Sequence, residues 1–155
     1  MKGAKHFATF DLAKGCWGFP VEKSSRKYFG TSTPKGTYEF NRIPVGFKNS
    51  VAHFQRVMTQ VLQPLVRNGV LVCLDDMICH GATENELLLV VEKMMKLLAK
   101  RNIYIKPSKS TFYATQVKWL GHLVDSEGIR ADPAKTEALL EMPKPKMVSD
   151  LINFL

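Results

Sequence analysis

The sequence predicts an α+β fold: an antiparallel sheet with helices packed on one face. One observation is the coarse order of the patterns, which runs strand, hairpin, helix, strand pair, helix, short strands, helix. Groups of strands interrupted by single helices imply such a layer rather than a doubly wound parallel sheet. A second is the apolar run Val70-Leu71-Val72-Cys73-Leu74-Asp75-Asp76-Met77-Ile78-Cys79. It reads as a buried strand or a tight strand pair, yet it carries two adjacent carboxylates in its middle.

Each element has its own warrant. His6 to Leu12, with Phe7, Phe10 and Leu12 around Asp11, is a short strand running into a turn at Lys14-Gly15. After the basic stretch Glu22 to Lys27, the segments Tyr28 to Thr33 and Thr37 to Arg42 flank Pro34-Lys35-Gly36 and predict a hairpin. Ile43-Pro44-Val45-Gly46 breaks the pattern, and Asn49 or Ser50 can cap a helix over 51–66. Val51, Phe54, Met58, Val61, Leu62 and Leu65 give that helix one buried face. Thr83-Glu84-Asn85-Glu86 is a capping box opening a second helix, whose stripe is Leu87, Leu88, Val91, Met94, Met95 and Leu98. Ile103 to Ile105, Thr111 to Tyr113 and Val117 to Val124 read as short strands. Asp132-Pro133 starts a third helix that stops before Pro143-Lys144-Pro145, and the apolar Leu151 to Leu155 is expected to begin a further helix.

The chain has 155 residues, 45% of them hydrophobic, enough for one core. With 22 Lys+Arg against 14 Asp+Glu its net charge is +8, which suits an anionic partner such as nucleic acid. No stretch has transmembrane length and the start lacks a signal peptide's apolar centre, so an intracellular protein with no membrane role is expected. Cys16, Cys73 and Cys79 are an odd set, expected to be reduced, packed thiols. The four histidines show no zinc spacing.

Two readings of Asp75-Asp76 are open on the residues alone. One is a hairpin whose turn happens to be acidic. The other is a divalent cation, because Mg²⁺ takes one or two carboxylates together with substrate phosphates and water. Asp11, at the end of another strand, would be a third carboxylate if the two strands are neighbours. Side chains alternate along a strand, so only one of Asp75 and Asp76 can fully share the face of Asp11.

The ordered blocks Phe10-Asp11-Leu12-Ala13-Lys14-Gly15, Thr37 to Asn49, Phe54-Gln55-Arg56-Val57-Met58, Val72-Cys73-Leu74-Asp75-Asp76 and Val117-Lys118-Trp119-Leu120-Gly121-His122 resemble reverse transcriptases, most closely those of gypsy-type long-terminal-repeat retrotransposons. The resemblance implies a polymerase palm over 1–130, with fingers and thumb incomplete, followed over 131–155 by the start of thumb or connection helices. It implies a catalytic trio of Asp11, Asp75 and Asp76 holding two Mg²⁺ ions (Mn²⁺ as a substitute), and Lys109 as the lysine that protonates pyrophosphate. Cys16, Val45, Gly46 and Lys48 would face the nucleotide and template. Trp119, Leu120, Gly121 and His122 would form the primer grip. The implied partners are an RNA or DNA template with its primer, dNTPs, and the rest of a polyprotein with fingers, connection and ribonuclease H.

The chain also departs from the family pattern. Cys16 stands where a large aromatic is usual, Gly18 replaces Gln, Val45 replaces Phe, Val51 replaces Pro and Cys73 replaces Tyr. The expected function is RNA-directed DNA polymerase. The alternative is a catalytically inactive retroelement remnant that only binds nucleic acid or a partner.

Overall fold

The computed structural model describes Met1, residues 3–141, Met147, Val148 and Ile152. Its centre is an antiparallel sheet of strands β1 (His6–Asp11), β4 (Val70–Cys73), β5 (Asp76–Gly81) and β6 (Thr111–Ala114), in the order β4-β5-β1-β6. A hairpin of β2 (Gly30–Thr33) and β3 (Gly36–Glu39) and a second sheet of β7 (Val117–Trp119), β8 (His122–Asp125) and β9 (Gly128–Ala131) complete the strands. The helices are α1 (Ser50–Val61), α2 (Glu84–Ala99) and α3 (Pro133–Leu140). This is the expected α+β layer.

Strand alternation divides the central sheet into two chemically different faces. Ala8, Phe10, Met77, Cys79 and Val70 point one way and meet Phe54, Met58 and Leu62 from α1 and Leu87, Met94 and Leu98 from α2. Phe10, Phe54, Met58, Leu62, Met77, Leu87, Met94 and Leu98 are all buried there. Each such side chain contributes about 2 kcal/mol by leaving water. The opposite face shows Phe7 and Ile78, covered by Val117 and Val124 of the second sheet. Asp11 and Asp76 lie on this second face, beyond the cover.

The capping box forms as expected. Thr83 Oγ1 accepts from the Glu86 N–H (3.2 Å), and Glu86 Oε2 accepts from the Ala82 N–H (2.8 Å). Asp132 caps α3 by accepting from the Ala134 N–H at 3.3 Å, with Pro133 at the first helical position.

Several boundaries differ from expectation. Tyr28 and Phe29 belong to a 3-10 turn over Lys23–Phe29 rather than to β2. Helix α1 ends at Val61, not residue 66, because the chain turns back: the Val70 N–H donates to the Leu65 carbonyl. Ile103 to Ile105 form no strand. The Ala13 N–H donates to the Tyr104 carbonyl and the Lys106 N–H to the Asp11 carbonyl, which makes a single bridge at Leu12 and Ile105. Pro107 follows and has no N–H with which to extend the ladder. The run from Val117 to Val124 is two strands, folded at Leu120 (φ 50) and Gly121 (φ 76). Strand β9 was not expected. Pro143 to Pro145 and most of Leu151 to Leu155 lie outside the described residues.

All three cysteines are free. Burial pushes the Cys79 thiol up to about 12, and its Sγ lies 3.4 Å from Met94 Sδ, so it is packing material. Cys16 instead stands half-buried beside Asp75.

Candidate active site

The site is built by three backbone constraints. In the β1–β5 ladder Asp11 stands directly opposite Asp76, and cross-strand partners share a face. Asp75 lies in the two-residue loop between Cys73 and Asp76, and its carbonyl accepts from the Leu12 N–H at 3.0 Å. The Lys106 N–H donates to the Asp11 carbonyl at 2.8 Å, and this connection leads to the 3-10 turn Pro107–Lys109. Lys109 thereby reaches back, its Nζ 3.7 Å from Asp11 Oδ2.

The electrostatics follow from that crowding. Asp76 holds its proton more tightly than an ordinary carboxyl, chiefly because burial disfavours the charge and then because Asp75 and Asp11 repel it; Lys109 works the other way. The Cys16 thiol is raised by burial and by the Asp75 charge.

Two hollows meet at these residues. A cleft of about 410 Å³ is lined by Asp11, Lys14, Gly15, Cys16, Trp17, Val45, Asp75, Lys106 and Lys109. A groove of about 330 Å³ is lined by Thr9, Asp11, Asp76, Lys109, Lys118, Trp119 and Leu120. Asp11 and Lys109 belong to both, Asp75 opens into the first, and Asp76 opens into the second.

The structure thus brings together Asp11, Asp75, Asp76 and Lys109, sets Cys16 and Val45 beside them on one side, and sets Trp119 and Leu120 on the other. It is the second of the paired aspartates that stands in register with Asp11. Lys48 lines a different hollow, with Tyr28, Phe29, Phe47 and His53. Gly46, at φ 97, lies in the turn between the two. Gly121 packs under Lys135, whose Nζ would lie 2.5 Å from an added Cβ, and His122 is exposed in β8. Neither is among the described lining of the groove.

Sequence reasoning assigned no site role to Lys14, Gly15, Trp17 and Lys106, which line the cleft, or to Thr9 and Lys118, which line the groove. Thr9 was within reach of simple alternation, since it lies two residues before Asp11 on β1 and shares its face; Lys118, adjacent to Trp119 on β7, was not.

Among the described residues no three His, Cys, Asp or Glu side chains form a ready-made metal cage. The donor set nevertheless fits Mg²⁺, which gathers a few carboxylates with phosphate oxygens and water. Asp76 is raised by burial first and by repulsion from Asp75 and Asp11 second, and that repulsion is what a divalent cation would relieve.

Comparison with known proteins gives the family. The sequence profile described as "Reverse transcriptase (RNA-dependent DNA polymerase)" matches residues 1–124. The Drosophila melanogaster "Retrovirus-related Pol polyprotein from transposon opus" is 36% identical over 152 residues, covering 98% of this chain and 15% of that polyprotein. The corresponding polyprotein from transposon gypsy is 31% identical, with the same two coverages of 98% and 15%. A foamy viral protease-reverse transcriptase solved in complex with RNA/DNA hybrid superposes with a TM-score of 0.86 at 25% identity, over 97% of this chain and 20% of that one. The chain therefore spans a small part of the proteins it matches. Matched by that profile over residues 1–124 and more than 30% identical to two such polyproteins over 98% of its length, the chain belongs to the reverse transcriptase family, in the branch carried by gypsy-type retrotransposon polyproteins.

Proposed function

We propose that this chain is the palm of an RNA-directed DNA polymerase, one part of a retrotransposon polyprotein, which joins a dNTP to a primer 3′-hydroxyl on an RNA or DNA template. The observation that carries the reading is the meeting of two hollows at Asp11. The cleft on the Asp75 side has basic walls from Lys14, Lys106 and Lys109, suited to a triphosphate. The groove on the Asp76 side has an indole and an exposed Leu, suited to the end of a primer strand.

In the proposed reaction the primer 3′-oxygen attacks the α-phosphorus in line, its proton passes to solvent water, and the bond to the bridging oxygen breaks to release pyrophosphate. Lys109 donates a proton to that leaving group. Asp11, Asp75 and Asp76 would hold two Mg²⁺ ions, which when bound lower the pKa of the attacking hydroxyl and neutralise charge on the phosphates. Cys16 and Val45 would form the wall against the incoming sugar and base.

The test is primer extension on an annealed RNA template with dNTPs and Mg²⁺. The expected result is extension by the wild-type chain and none by Asp75→Asn with Asp76→Asn. Extension that survives in the double variant would remove the chemistry from this site.

A further inference from the structure

The residues given a part in the proposed reaction all line one of the two hollows. Gln55 touches neither, yet it bonds to the hairpin that carries two of the aspartates.

The β4–β5 hairpin has a structural problem. Its loop is Leu74-Asp75, and Leu74 is held at φ 56, a conformation that bulky residues rarely adopt. Strand β4 is also the edge of the sheet, so its outward-pointing backbone groups have no neighbouring strand. Gln55, projecting from α1, answers both. Its Oε1 accepts from the Leu74 N–H at 2.6 Å, and its Nε2 donates to the Val72 carbonyl at 3.2 Å. One side-chain amide thus pairs with a backbone donor and a backbone acceptor, as a residue of a fifth strand would. One turn further along α1, the Thr59 hydroxyl fixes the amide: it accepts from Gln55 Nε2 at 3.2 Å and donates to the Gln55 carbonyl at 2.8 Å.

We infer that Gln55, locked by Thr59, is a positioning residue that fixes the Leu74-Asp75 loop and so sets where the Asp75 carboxylate stands relative to Asp11. Asp76 is placed by the β1–β5 ladder and needs no such help. Asp75 lies outside the ladder. Its peptide is held by the Leu12 N–H on one side and, one residue earlier, by Gln55 on the other. Removing the bracket frees a strained loop to leave its left-handed conformation, and Asp75 moves with it. A glutamate at this position would still accept from Leu74 but, when ionised, could not donate to Val72.

The kinetic and Mn²⁺-affinity parts of the test rest on the polymerase reading, and the exchange part does not. Amide hydrogen exchange of the whole chain is followed by NMR for wild type, Gln55→Met, Gln55→Glu and Thr59→Val. Mn²⁺ affinity is measured by water-proton relaxation, and primer extension supplies kcat and the primer–template KM. The expected result is Leu74 exchange about tenfold faster in Gln55→Met, with a smaller change in Gln55→Glu and in Thr59→Val, while the amides of β1 and β5 are unchanged. Mn²⁺ affinity and kcat fall together in Gln55→Met at unchanged KM. Leu74 exchange that stays at the wild-type rate, or that rises only in step with every other amide, overturns the bracket whatever the kinetics. If the wild-type chain extends no primer while Leu74 responds as expected, the polymerase reading fails and the bracket stands. Should Gln55→Met not fold, the exchange rates of Gln55→Glu and Thr59→Val decide the same question.

Discussion

Asp11 and Asp76 face each other across the β1–β5 ladder, paired residue to residue, so two carboxylates share one face at the end of the central sheet. The Asp76 carboxyl is consequently held above the ordinary value of 3.8, by burial first and by its acidic neighbours second. In the pH range just above that value the folded chain binds more protons than the unfolded one, so the free energy of unfolding falls as pH rises through the window. At neutral pH the ionised Asp76 is a standing cost. Asp76→Asn is therefore expected to melt higher than wild type at pH 7, with an advantage that shrinks towards about pH 3.5. Mg²⁺ should narrow the gap by stabilising the wild type more. Thermal unfolding across this range checks it, and parallel curves for the two proteins would rule out Asp76 as the strained group.

Lys109 is the counter-charge in this arrangement, 3.7 Å from Asp11 and more than half exposed. An exposed pair is worth little to stability, so Lys109→Met should change unfolding by no more than about 0.5 kcal/mol. Its effects belong to the reaction: loss of the proposed proton donor should lower the rate in Lys109→Met, and the titration should change as well. Without the cation that lowers Asp76, the acid limb of the extension rate should move to higher pH, whereas Lys109→Arg should leave the limb in place. Comparing pH–rate profiles for the three proteins gives the answer; identical rates and identical limbs would confine Lys109 to a surface role.

Gly81 ends β5 where α2 begins, and a Cβ there would lie 2.6 Å from the Leu87 N and 3.0 Å from the Thr83 carbonyl oxygen. Both obstacles are backbone in the first turn of a capped helix, and neither can swing aside. Gly81→Ala should cost about 2 kcal/mol. Thr83→Ala, which removes only the cap, should cost about 1 kcal/mol. Urea unfolding measures both, and the order of the two costs is the informative part.

The basic residues are unevenly spread: between Lys14 and Arg56 the acidic residues are Glu22 and Glu39 alone, among eight Lys and Arg. If this segment lies along a nucleic-acid backbone, affinity for an RNA–DNA hybrid should fall roughly a hundredfold between about 50 and 200 mM salt, as for some four neutralised phosphates. Lys27→Glu with Lys35→Glu should flatten that slope. Binding indifferent to salt would contradict a phosphate contact.

The parts of this structure legible in the sequence are those that local chemistry decides. The stripe from Phe54 to Leu62, the box at Thr83 and Glu86, and the carboxylates set in an apolar hairpin each contain their own reason for being where they are. The parts missed depend on a distant partner. Ile103 to Ile105 has strand-like residues, but its backbone is used by the end of β1 and stopped by Pro107. Helix α1 could continue past Val61 on its apolar pattern, and is turned instead by Leu65 and Val70. Gln55 was visible as a letter in a family block, but a polar residue on a helix discloses nothing of the edge strand it will meet. Likewise, the ladder register that selects Asp76 over Asp75 as the partner of Asp11 follows from a loop of two residues, a count that alternation alone does not supply.

Trp119 offers a last, sharper comparison. Its indole packs against the small core of Ala4, Phe7, Ile78, Val117 and Val124 and lines the groove, and its Nε1 is buried with no hydrogen-bond partner among the described residues. An orphaned buried donor costs stability, and replacing it with an apolar ring removes the cost. Trp119→Phe is therefore expected to stabilise the free chain by about 1 kcal/mol, against the usual direction for trimming a packed indole. If that N–H is kept for a primer strand entering the groove, the same variant should bind primer–template more weakly than wild type. Urea unfolding and hybrid binding measured on one preparation separate the two effects: a less stable Phe variant would mean the indole N–H is already satisfied, and unchanged binding would mean the groove does not use it.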